Sequence, residues 1–174
     1  MEPRRRKDLR LRGHDYASNG AYHVIICTHQ KTPWLSYIDV VSAGGRLPPL
    51  QNPTIRLTAY GKATEEAIRN IPDICKHIQV KKYVIMPNHV HLMLYFKFPD
   101  AIVDKPTLST VMNQMKRHAS IQAGVSLWQR SFFDNIINDR KEYERAMQYI
   151  NSNPANWPND EFYVPLEFLE EAHR

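Results

Sequence analysis

The sequence predicts an α+β fold: an antiparallel sheet of four to five strands with helices packed on one face, and a C-terminal helix that bears a tyrosine. Three observations predict it. β-branched and aromatic runs alternate with stretches of helical apolar spacing in the order strand, helix, strand, strand, helix, strand, helix, the ferredoxin-like succession. Two neighbouring strand-like runs are separated only by Pro87-Asn88, as in an antiparallel hairpin, and no internal repeat or low-complexity segment interrupts the pattern. With 174 residues, 43% of them hydrophobic, the chain suffices for one domain over residues 1–174 that buries roughly 70% of its unfolded surface.

Residues 1–13 are read as a basic arm in which Arg4, Arg5, Arg6, Lys7, Arg10 and Arg12 face only Glu2 and Asp8, within a chain of net charge +5. Such an arm suits phosphate contact and equally suits a solvated terminus. Residues 21–28 form the first strand, and residues 42–54, dense in Gly and Pro, a surface loop flanked by a short hairpin that residues 55–58 close. From Tyr60 the spacing turns helical, with Ala63, Ala67, Ile68 and Ile71 opposite Glu65, Glu66, Arg69 and Asn70, and this helix ends at Pro72. Residues 78–86 and 89–96 are the hairpin strands. Residues 107–122 form a second long helix with Leu108, Val111, Met112 and Met115 on one side; residues 132–137 form a strand; residues 141–153 form a helix stopped by Pro154. Residues 155–174 are a C-terminal tail.

Cys27 and Cys75 are too few for a disulfide framework, and Cys27 within an apolar run reads as a buried thiol. No apolar stretch reaches the roughly 20 residues a membrane span requires, and the charged start lacks a secretory apolar segment. A cytoplasmic protein without a membrane partner is expected.

His89 and His91 flank Val90 at the start of a strand. Side chains alternate faces along a strand, so the two imidazoles project together while Val90, Leu92 and Leu94 point into a core. Two neutral imidazoles can grip one divalent cation, although the same pair also suits a half-exposed polar face. On the last helix Tyr149 and Asn153 are four residues apart and share a face. A core contact for Tyr149 and a helix cap for Asn153 are the structural alternatives. Tyr143 lies six positions before Tyr149, about 120° around the helix, and is the weaker candidate.

These residues, taken together, resemble the single-tyrosine HUH transposases, the group of insertion-sequence and REP-associated tyrosine transposases. The resemblance runs through Leu11-Arg12-Gly13-His14-Asp15-Tyr16, Gly20-Ala21-Tyr22, Ile26-Cys27-Thr28 and Leu57-Thr58-Ala59-Tyr60-Gly61 with Glu65-Glu66. It continues in Val84-Ile85-Met86-Pro87-Asn88-His89-Val90-His91 and Trp128-Gln129-Arg130-Ser131-Phe132-Phe133-Asp134, and closes with Tyr149-Ile150, Asn153-Pro154, Trp157 and Asp160. The combination of Met-Pro-Asn-His-x-His with Tyr-Ile-x-x-Asn-Pro is what makes it specific. It implies that His89, His91 and Asn153 bind a metal and that Tyr149 is the nucleophile. The chain departs from the pattern at Asn135, where many relatives carry histidine, and in residues 42–54, which have no clear counterpart.

A phosphodiester repels nucleophiles, and a divalent ion can neutralise a nonbridging oxygen while holding the phosphorus for in-line attack. The phenol, with an ordinary pKa of about 10, needs a cation or proton acceptor nearby. Attack yields a 5′-phosphotyrosine and a free 3′-hydroxyl, so rejoining requires no nucleotide cofactor. Imidazole suits zinc, copper or manganese better than magnesium, whereas the resemblance implies magnesium or manganese. It further implies single-stranded or hairpin DNA as substrate and a homodimer. The expected DNA contacts are the arm arginines and Lys7, then Lys116, Arg117, Trp128, Gln129 and Arg130, with the indole stacking on a base or lying in the core. Two rivals remain: a catalytically silent hairpin-binding protein, and a metal-dependent nuclease that uses water.

Overall fold

The computed structural model describes residues 13–38 and 53–165. Arg4, Arg5, Arg6, Lys7, Arg10 and Arg12 lie outside the described residues, as do most of the 42–54 loop and residues 166–174 of the tail.

Four strands make the main sheet: β1 (Gly20–Cys27), β4 (Ile78–Ile85), β5 (His89–Phe96) and β6 (Phe133–Ile137), in the order β4-β5-β1-β6 with every neighbour antiparallel. This is the α+β arrangement expected. β2 (Ser36–Ile38) and β3 (Ile55–Leu57) pair as a separate ribbon that brackets the Gly/Pro-rich loop.

One face of the sheet carries the larger core. Tyr22, Val24 and Ile26 of β1 and Val90, Leu92 and Leu94 of β5 alternate toward α1 (Ala59–Arg69) and α3 (Leu108–Ala123), whose buried Ala67, Ile68, Leu108, Val111, Met112, Met115 and Ala119 fill it. Thr58, Thr107 and Asp139 cap the three long helices, each side chain accepting from the backbone N–H three residues on, and such caps stabilise a helix by about 1 kcal/mol each. Pro72 does more than stop a helix: α1 ends at Arg69, and Pro72 lies in the first turn of a short α2 (Ile71–Ile74), where its missing N–H is not needed.

The helix α4 (Arg140–Ser152) lies on the opposite face, over a smaller core of Ala21, Val84, Met86, Met93, Ile150 and Trp157. The sheet is therefore covered on both sides, and the tyrosine-bearing helix takes the face that α1 and α3 leave. Residues 155–165 of the tail fold back onto this face through the turn at Trp157–Asn159. Among the described residues no helix is long and apolar enough to cross a membrane, and both cysteines are free, Cys27 being buried.

Gly61 marks where α1 meets the segment after β1. A Cβ at this position would lie 2.0 Å from the Leu35 carbonyl oxygen, a group already accepting from Thr58 N at 3.0 Å. Alanine in a helix ordinarily stabilises by about 1 kcal/mol over glycine; here the obstacle is backbone that cannot step aside. Gly61→Ala is expected to destabilise the fold by about 3 kcal/mol, at the upper end of overpacking costs, as read from urea unfolding.

Candidate active site

The hairpin places His89 and His91 on the α4 side of β5, at 0% and 1% exposure. Their Nε2 atoms face each other at 3.0 Å, the rings edge to face. The preceding Asn88, fully buried, is fixed in orientation because its Nδ2 donates to the Phe162 carbonyl at 2.7 Å. Its Oδ1 must then accept, and His89 Nδ1, 2.9 Å away, is the donor. A neutral His89 consequently has a bare Nε2 aimed at His91.

β1 supplies a third histidine. His23 is buried on the same face, and its Nε2 lies 3.2 Å from His91 Nδ1. Burial holds all three rings neutral, lowering His23 to about 4, His89 to about 3 and His91 to about 2, with Lys31 adding to the effect on His89 and the neighbouring rings to that on His91.

Tyr149 and Asn153 of α4 meet this group. The Tyr149 ring stands edge-on to His91 at 5.2 Å between centroids and reaches His23 at 6.1 Å. It is 49% exposed and, with His23, lines an open cavity on this face. Asn153 ends the helix and is buried, its side-chain amide hydrogen-bonding toward both Tyr149 and Asp160, while its Oδ1 has no partner. Asp160 comes back from the tail: its Oδ2 is 3.9 Å from His89 Nε2, and its Oδ1 accepts from Phe162 N at 2.7 Å. Burial raises the Asp160 carboxyl. Burial, and then the charges of Asp160 and Glu161, raise the Tyr149 phenol, so these groups by themselves oppose formation of a phenolate.

Among the described residues no three His, Cys, Asp or Glu side chains form a ready cation cage. The two imidazoles face each other, and Asn153, hydrogen-bonded to the Asp160 that stands beside His89, brings a buried amide oxygen without a partner. A buried carbonyl oxygen without a partner and a bare imidazole nitrogen are the kind of groups a divalent cation would satisfy, so the residues fit such an ion.

The sequence-expected DNA contacts divide. Lys116 is buried on α3, and its ammonium donates to the carbonyls of Gln129, Arg130 and Ser131, the last two at 3.2 and 3.4 Å. It ties the 129–131 segment to the helix and is not an exposed phosphate contact. Of the two places open to Trp128, base stacking and the core, the structure gives the core: it is 7% exposed and bridged to Thr28. Gln129 donates its N–H to the Cys27 carbonyl, half-buried at the end of the sheet where Cys27 pairs with His89. Arg130 beside it is exposed, and so is Arg117, which lies on α3 across the sheet from the histidines.

Sequence reasoning missed His23 and Asp160 as site residues. Strand alternation sets His23 opposite Tyr22, Val24 and Ile26, but β1 is apolar on both faces and nothing in it marks which face carries a site. Asp160 carried no signal beyond the resemblance.

The three neutral histidines make the fold acid-sensitive. Each is depressed in the folded state, so below its unfolded value of about 6.5 the unfolded chain binds protons that the folded chain refuses. Stability is complete above that value and lost as pH falls toward the folded ones. With chelator present, the melting temperature is expected to drop steadily from about pH 6.5 to about pH 4.5, and less steeply in His23→Gln.

A family model described as transposase, IS200-like, matches residues 53–153, more than half of the chain and including both hairpin histidines, Tyr149 and Asn153. Over 91% of its length the chain is 27% identical to an uncharacterized protein of Haemophilus influenzae, 93% of which is covered. The solved structure of a REP-associated tyrosine transposase bound to a REP hairpin is similar with a TM-score of 0.55 and 18% identity, over 81% of this chain and 70% of that one. The two share a fold.

Proposed function

The chain belongs to the IS200-like transposase family, and from that membership we propose that it cleaves and rejoins single-stranded DNA beside a hairpin, with Tyr149 as nucleophile. The observation that carries the reading is the meeting of Tyr149, hydrogen-bonded to Asn153, with His91 of the histidine pair, fifty-eight positions before it in the chain. Hairpin DNA is proposed as substrate because the structure that shares this fold was solved on a REP hairpin.

His89, His91 and Asn153 would hold a divalent ion, magnesium or manganese, which when bound would supply Lewis-acid stabilisation of the phosphate and favour the phenolate. The Tyr149 oxygen attacks phosphorus, the bond to the 3′ oxygen breaks, and the departing oxygen takes a proton to become a 3′-hydroxyl. The 5′-phosphate stays on Tyr149, and the reverse attack restores the strand without a nucleotide cofactor. Half exposure of Tyr149 admits the strand. A homodimer in the cytoplasm is part of the same reading, its assembly read by sedimentation velocity.

The test is incubation with labelled single-stranded hairpin DNA and manganese, followed by denaturing electrophoresis. A protease-sensitive covalent band is expected. Cleavage without that band would favour a water-using nuclease, and binding without cleavage a silent hairpin binder.

A further inference from the structure

We infer that His23 is the positioning residue of the histidine pair: it accepts the ring N–H that His91 must carry on Nδ1 to present a bare Nε2. The inference rests on the reading that His89 and His91 hold a divalent cation.

His89 donates from Nδ1 to Asn88, so its Nε2 is bare. His91 Nε2 lies 3.0 Å away. A neutral His91 has two tautomers. With the proton on Nε2 it donates to His89, and its bare Nδ1 accepts from His23 Nε2, 3.2 Å distant. With the proton on Nδ1, two lone pairs face each other across 3.0 Å, an arrangement unfavourable by itself that a bound cation would relieve, and Nδ1–H must find an acceptor. His23 Nε2 is the atom placed to accept.

Each tautomer therefore calls for the opposite tautomer of His23. In the first, His23 donates from Nε2; in the second, it accepts there and carries its proton on Nδ1. The exchange balances: His91 Nε2 releases one proton to water, His23 passes its Nε2 proton to His91 Nδ1, and His23 Nδ1 takes one proton back from water. His23 can make that exchange because it borders a cavity of about 660 Å³ lined also by Ile25, Asn135, Arg145 and Tyr149. All three rings stay neutral throughout, in keeping with their burial. A lysine or arginine at position 23 could not accept, and an aliphatic side chain would leave Nδ1–H of His91 buried and unpaired.

The experiment compares manganese affinity, by calorimetry or by electron paramagnetic resonance, in wild type and in His23→Ala, His23→Gln and His23→Asn, with the melting temperature of each taken in chelator. His23→Ala is expected to bind about 10- to 100-fold more weakly, the usual loss when the partner of a ligating histidine is removed. Gln places its amide where His23 Nε2 stands and should recover most of the affinity; Asn, whose amide reaches only as far as Nδ1, should not. Equal affinity across the series, whatever the melting temperatures, overturns the inference. If the variants do not fold, nitrogen-15 spectra of wild-type protein titrated with zinc decide: His91 Nδ1 must become the protonated ring nitrogen, and a proton remaining on its Nε2 overturns it. A wild type that binds neither ion removes the cation reading itself and this inference with it, a result distinct from wild-type binding that His23→Ala retains.

Discussion

Tyr149→Phe is expected to abolish the covalent protein–DNA band, by about a thousandfold or more, while hairpin binding stays within about threefold of wild type. Loss of a nucleophile removes the only route to the adduct and leaves binding energy from the rest of the interface untouched. The substitution is mild for the fold. Tyr149 is half exposed, its ring keeps the edge-on contacts with His91 and His23, and the hydroxyl gives up only its hydrogen bond with the Asn153 amide. Stability should fall by less than about 1 kcal/mol. Activity lost without stability lost thus assigns the effect to chemistry. A band that survives would point to another nucleophile, and Tyr143 is poorly suited to that part because it packs against the smaller core beneath α4.

The parts of the fold and site that were legible in the sequence are those where one pattern had one meaning. His89 and His91 could be placed because Val90, Leu92 and Leu94 fix the phase of their strand, and Tyr149 and Asn153 because four residues make a helical turn. His23 was hidden in a run apolar on both faces: with Ile25 and Cys27 beside it as well as Val24 and Ile26, polarity does not reveal which side of β1 carries a site. Lys116 was misread by charge alone. Its positions relative to Met112, Met115 and Ala119 put it on the buried side of α3, where a long side chain can bury its stem and bring the ammonium to backbone carbonyls. Trp128 follows the same rule, since Thr28 and Cys27 pair with its segment and draw it into the sheet. The return of the tail to the hairpin depends on contacts more than seventy residues apart, which no local periodicity records.

That return is the basis of the largest stability effect expected, from Trp157→Ala. Trp157 is 1% exposed, packs among Ala21, Met86, Met93 and Ile150, lies near His89 and edge-on to Tyr163, and begins the turn that delivers Asp160 and Phe162. Truncating such a residue costs about 3–5 kcal/mol, a large share of the 5–15 kcal/mol that domains typically possess, so chemical unfolding should show a much lower midpoint. The site should weaken as well, because the tail carbonyl of Phe162 is what orients Asn88, and Asn88 orients His89. Phe162→Ala separates these effects. It removes a ring that lies 5.0 Å from His89 and under the Lys31 ammonium, yet leaves the backbone carbonyl that Asn88 uses. Its cost in stability should be smaller, and its manganese affinity should fall less than that of Trp157→Ala measured at a temperature where both are folded. If instead the two lose affinity equally, the Phe162 ring rather than the anchored carbonyl is what holds the hairpin histidine in place.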